Sequence, residues 1–168
     1  PFLPLLSLAL LPPARAATTT GVGSSSGNWN NSQNWTPGGV PAAGDDLVFP
    51  TGVAQLLTTN GIPSLPAFNS ITILGANYVI RGASLKLTNG LFCGNSSAAN
   101  AIDADIELRG PQFIVVSNQN ASLLLRGASL SLGASGVTLT GFGRIDISSV
   151  ITGNSGIIKS GANTVLFH

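Results

Sequence analysis

Asp103, Asp105 and Glu107, in "IDADIELR", are the one group in this sequence with the types and spacing for acid–base chemistry. On an extended strand, alternate side chains share a face, with neighbours about 7 Å apart. That separation suits a pair of carboxyl groups working on a glycosidic bond. Two features weigh against catalysis. Arg109 continues the same face and is placed to neutralise it, and no aromatic, His or Lys cluster adjoins it in sequence. A solvated outer face is the plainer expectation, since unpaired carboxylates stay in water.

Other reactive residue types stand alone. Trp29 and Trp35, the two tryptophans, lie six residues apart in an Asn-rich setting. Their rings would either stack on sugar faces or cover the open end of a stacked fold, and solenoid ends require such covering. The cap is the preferred expectation and glycan contact the alternative. Asp45-Asp46 falls at a turn, where Asp bonds its own backbone; calcium would need further clustered oxygen ligands that the sequence lacks. Cys93 is the only cysteine, so no intramolecular disulfide forms. With no His or cation beside it to lower its pKa, it is expected to be a small buried hydrophobe. His168, the last residue, has no partner to act with. No Ser/His/Asp order, phosphate loop or Cys/His metal spacing occurs, so neither cofactor nor metal is expected, and "GFGR" at 141–144 is a turn. The sequons at Asn30, Asn34, Asn95 and Asn120 matter only in a eukaryotic secretory path.

Composition bounds what can position these residues. In 168 residues, charged side chains make up 8 % against a norm of roughly a quarter, and glycine numbers 21. A formal net charge of +1 gives no electrostatic case for nucleic acid or anionic lipid. Ile, Leu and Val recur throughout, so the chain has a core to bury. Gly, Ser, Thr and Asn are poor helix formers, which favours short strands and tight turns.

The start differs from the rest. "PFLPLLSLALLPPARAA" is an apolar run followed by a small-x-small site, which identifies residues 1–16 as a signal peptide cut after Ala16. The run is too short for a bilayer, which takes about 20 residues, and Pro4 and Pro12 oppose a core helix. A basic n-region is missing, so residues are expected before Pro1. Residues 17–26 form a polar linker, 27–68 an N-terminal cap and first coil, and 69–168 a series of coils continuing beyond His168.

From Asn69 onward short strands alternate with Gly-, Asn- or Ser-rich turns. Expected strands are 70–74, 78–80, 84–88, 102–108, 112–116, 122–125, 129–132, 137–139, 144–147, 156–159 and 163–167. "RGASLKL" at 81–87 returns as "RGASLSL" at 126–132, offset by 45 residues, with a looser third copy in "KSGANTVLF" at 159–167. Fixed-period self-similarity marks a stacked array, and coils of roughly 20 residues make that offset two turns. The expected fold is all-β: a right-handed parallel β-helix. Leu85, Leu87, Ile102, Ala104, Ile106 and Leu108 face inward, and Gly82, Gly127 and Gly161 stand at bends where glycine reaches positive φ. The rival is an antiparallel β-sandwich.

"ITGNSGIIKSGANTVLF" resembles the autotransporter-associated β-strand repeat, roughly I-x-G-x-G-x-x-K-x-G-x-G-T-L-x-L, through Ile151, Gly153, Gly156, Lys159, Gly161, Thr164 and Val165. Asn163 stands where the pattern has its last glycine, and Phe167 replaces a leucine. Gly27, Trp29, Asn34, Trp35, Gly38 or Gly39, Pro41, Asp45, Asp46 and Phe49 resemble that family's opening block, and "FNSITILGANYVIRGASLKLTNG" its first coils. The resemblance covers residues 27–167. It implies an exported bacterial surface protein, at the outer membrane or outside the cell, whose passenger is a structural stalk or adhesin-like β-helix without catalysis in this portion. It also implies a monomer, membrane attachment only through a region beyond residue 168, and a polysaccharide or cell-surface ligand as partner. The alternatives are a polysaccharide hydrolase or lyase using Asp103, Asp105 and Glu107, and a carbohydrate-binding module using Trp29 and Trp35.

Overall fold

The computed structural model describes residues 16–134 and 136–168; apart from Ala16, the signal-peptide expectation lies outside the described residues. Among the described residues, sixteen short strands wind as a three-faced parallel β-helix. The first face holds β1 (Thr18–Gly21), β3 (Asp46–Phe49), the second halves of β5 (Ala67–Ile73) and β7 (Leu85–Cys93), β10 (Gln112–Val116), β13 (Val137–Gly141) and β16 (Ile157–Lys159). The second face holds β4 (Leu57–Asn60), β6 (Val79–Gly82), β8 (Ala98–Ile102), β11 (Ala121–Leu125), β14 (Arg144–Ile147) and β17 (Thr164–Phe167). The third holds the first halves of β5 and β7, then β9 (Ile106–Leu108), β12 (Ser129–Ser131) and β15 (Val150–Thr152). Because β5 and β7 run from the third face onto the first, those two faces form one eleven-stranded sheet beside a six-stranded one.

Alternation builds the interior. Each strand sends every second side chain inward, and parallel pairing stacks those residues rung over rung. One column of the first face runs Leu47–Ile71–Leu91–Ile114–Leu139. The second face contributes Ile80–Ile102–Leu125–Ile147; the third contributes Leu85–Ile106–Leu130. No member of these columns is more than 2 % exposed. Burying each such side chain is worth about 1.5–3 kcal/mol, and no single rung can do it alone.

The two "RGASL" copies lie in phase: Leu85 and Leu130 occupy the same column with Ile106 between them, so 45 residues span two turns. The third copy does not share that phase. Thr164–Phe167 lies on the second face, and the rung above Leu130 is filled by Ile151.

Four further expectations need correction. Residues 17–26 are not a linker throughout, because Thr18–Gly21 pairs parallel with β3 and antiparallel with β2 (Trp35–Thr36). That β1–β2 pair is the only antiparallel pairing among the named strands, which excludes the sandwich. Of the expected strand 102–108 only Ile102, the last residue of β8, and β9 are strand, with a corner at Asp103-Ala104-Asp105 between them. Polar or mixed patterning hid β4, β15 and all of β8 but Ile102. Finally, Gly82 and Gly161 have positive φ but Gly127 does not. At Gly127 the constraint is contact: a Cβ would stand 2.2 Å from the Ala104 carbonyl oxygen of the rung below.

Candidate functional site

The corner that breaks 102–108 also separates the three carboxylates, each of which has its own partner. Asp103 follows β8 and meets Arg126 one rung on, with Nε donating to Oδ1 at 2.8 Å and Nη2 to Oδ2 at 3.2 Å. Asp105 Oδ1 accepts the Ser129 backbone N–H at 3.0 Å. Glu107, on β9, accepts from Arg109 Nε at 2.7 Å. The Asp103 and Glu107 pairs are solvent-exposed, where such bridges contribute about 0–1 kcal/mol. The Asp103–Arg126 pair ties one rung to the next at a corner, whereas Glu107 and Arg109 pair within one rung.

Trp29 and Trp35 are buried, at 1 % and 3 % exposure. Their rings meet edge to face at 5.7 Å, and both pack on Phe49. Trp29 also reaches Phe68, and Phe49 reaches Tyr78. The space among Trp29, Trp35, Phe49, Thr58 and Tyr78 is about 20 Å³, room for one water and no sugar ring. Stacking on a glycan is therefore closed to both indoles; they lie across the first rung's apolar end.

The polar residues of the same block hold that end in place. Asn34 lies in a short 3-10 turn, Ser32–Asn34. Its Oδ1 accepts the Ser25 and Ser26 backbone N–H groups, and its Nδ2 donates to the Asn28 carbonyl at 2.8 Å. Trp35 Nε1 donates to the Trp29 carbonyl at 3.0 Å. Asp45 accepts from the backbone of Ala17 and Ala42 and from Thr19 Oγ1, clasping β1 to the stack. Asp46 accepts from Asn69 Nδ2 at 2.7 Å and from Ser70 Oγ. Gly27 runs so close to β4 that a Cβ would lie 2.1 Å from the Leu57 carbonyl oxygen.

Cys93 sits inside the first face. Its thiol donates to Asn95 Oδ1 and accepts from Asn100 Nδ2, and burial pushes its pKa up. A protonated, covered thiol is a poor nucleophile. Among the sequons, Asn34 and Asn95 are buried and hydrogen-bonded, whereas Asn30 and Asn120 are exposed. The His168 backbone N–H continues the second-face ladder to the Ile147 carbonyl. No three His, Cys, Asp or Glu side chains among the described residues converge to hold a metal.

A set of exposed rings carries no motif in the sequence. Phe92 and Phe113, on adjacent rungs of the first face, are 37 % and 56 % exposed, and Phe142 is 65 % exposed. The signal was present: Leu91 and Cys93 point inward, so Phe92 must point out. No protein-family model matches this chain, and no curated protein or solved structure matches it significantly.

Proposed function

We propose that the chain belongs to an exported bacterial surface protein in which the β-helix is a stiff, adhesin-like support without a catalytic step of its own. One observation carries this reading: five successive rungs share an uninterrupted apolar column from Leu47 to Leu139, with columns of the same kind on the other two faces. Such an array resists bending because each rung is hydrogen-bonded and packed to the next, and it repeats its outer surface at a fixed spacing. The likeness of residues 27–167 to autotransporter-associated repeats and the apolar leader support export.

Antibody labelling of an epitope-tagged protein on intact cells tests the reading. Surface label that protease removes without lysis is expected; a protein found only in the cytosol overturns it. The catalytic alternative is tested separately. The protein is expected to release no reducing sugar from plant or algal polysaccharides. Turnover that falls at least about tenfold in Asp103→Asn or Glu107→Gln would move the function to a hydrolase or lyase.

A further inference from the structure

The outer surface of the first face differs from the others in charge. Among the described residues from 46 onward, the strand segments of that face carry only two charged side chains, Asp46 and Lys159. Asp46 is held by Asn69 and Ser70, and Lys159 occupies an inward register position over Leu139. The outward columns between them are Ser70–Gly90–Phe113–Thr138 and Thr72–Phe92–Val115–Thr140. The remaining charges lie on the other two faces and at corners.

Gly90 leaves a gap in the first of these columns. It has φ +155°, and a Cβ there would stand 2.7 Å from the Phe113 carbonyl oxygen, so the backbone permits no side chain. The result is an open cleft of about 310 Å³, with Phe92 and Phe113 as walls and Ser70, Thr72 and Asn89 at its rim. That volume is at the small end of ligand clefts, which run about 300–1,000 Å³. Beyond Val116 the same rung leads to a second cleft of about 340 Å³, where Phe142 stands over Asn118, Gln119 and Asn120.

Three exposed phenyl rings set among hydroxyls and amides, with no charged side chain lining either cleft, define a ligand chemistry. A pyranose ring has an apolar C–H face that packs on an aromatic ring, and hydroxyls around its edge that need uncharged donors and acceptors. Phosphate, uronate or nucleic acid would need cations that this surface lacks. A lipid partner would need a continuous apolar patch, and Ser70, Thr72, Thr138 and Thr140 interrupt this one.

We propose that the outer surface of the first face binds a neutral polysaccharide chain. Phe92 and Phe113 hold one sugar ring over Gly90, and Phe142 holds another further along. This adds a ligand to the adhesin-like reading but needs no export, so it is tested on purified protein and fails separately.

The test is electrophoresis of the purified full chain in native gels containing hydroxyethyl cellulose, laminarin or galactomannan, with polygalacturonate and alginate as charged comparators. Retardation by at least one neutral polymer is expected. Phe92→Ala and Phe113→Ala should each weaken it about five- to tenfold, whereas Phe113→Trp should retain it. Phe167→Ala, which removes an exposed ring on the second face, should change nothing. These four substitutions lie at exposed positions, and unchanged melting confirms that folding is intact. No retardation by any neutral polymer, retardation by the charged polymers alone, or retardation that survives the Phe92→Ala/Phe113→Ala double variant overturns the proposal. So does self-association in sedimentation that the double variant abolishes, which would give the face to a second copy.

Discussion

Tyr78, the only tyrosine in the chain, shows how one polar atom fits inside a column of apolar ones. Its hydroxyl donates to the Pro50 carbonyl at 2.7 Å, its backbone N–H to Asn100 Oδ1 at 2.8 Å, and its ring packs on Phe49. Gly75 makes room, since a Cβ there would meet the ring at 2.6 Å. Burial pushes the phenol from 10.0 up to about 12. The folded chain thus keeps a proton that the unfolded chain releases above pH 10. The stabilisation is full below pH 10 and is lost as pH rises through about 12. Tyrosinate absorbance in an alkaline titration of the folded protein should have its midpoint near 12, with a loss of melting temperature over the same window. Tyr78→Phe should flatten that loss. A midpoint at 10 in folded protein would mean that the ring is solvated. Tyr78 starts the expected strand 78–80 but stands one residue before β6, and its partner Pro50, 28 residues away, was not readable from the sequence. Which carbonyl faces a side chain depends on how the rung below turns its corner.

At the level of elements, the period is loose. Along the first face the rungs advance from Leu47 to Ile71, Leu91, Ile114 and Leu139, 20 to 25 residues at a time. Strands keep their register while corners take up the difference, which is why "RGASL" recurs in phase after two turns and the third copy falls out of phase. At the corners themselves, glycine is fixed by the neighbouring rung as much as by φ. Gly82 and Gly127 both approach the carbonyl of the rung below, Asn60 and Ala104 respectively, though only Gly82 has positive φ. Gly127→Ala must push a methyl group into that carbonyl, at a cost of about 1–3 kcal/mol. Urea denaturation should show a lower midpoint with an unchanged slope. An unchanged midpoint would mean that the corner yields freely.

The described stack differs between its first and last rungs. Trp29, Trp35 and Phe49 cover the first rung, whereas the last described rung leaves Ile151 and Phe167 exposed, although both occupy inward register positions over Leu130 and Ile147. The backbone of β15, β16 and β17 is paired on one side only. In a one-dimensional array each rung is held by its neighbours, so the rung with one neighbour opens most easily. Hydrogen exchange of the chain should therefore be fastest in β15 to β17 and slowest in β7 and β9 to β11. Uniform protection from end to end would show that the stack opens as one unit instead.

The sequence by itself determined the strand character, the inward residues and the stacking, because alternation and a recurring motif are local properties that every rung restates. It also indicated that the carboxylates at 103–107 form an outer face with Arg109 beside it. Only the tertiary structure decided which residues meet across rungs: that Asp103 pairs with Arg126, that Trp29 and Trp35 close an end instead of presenting a platform, and that Phe92 and Phe113 flank one gap. The physical reason is the ratio of distances. Neighbouring rungs are about 4.8 Å apart in space yet some 20 residues apart along the chain, and the corner lengths that set the alignment carry no periodic signal.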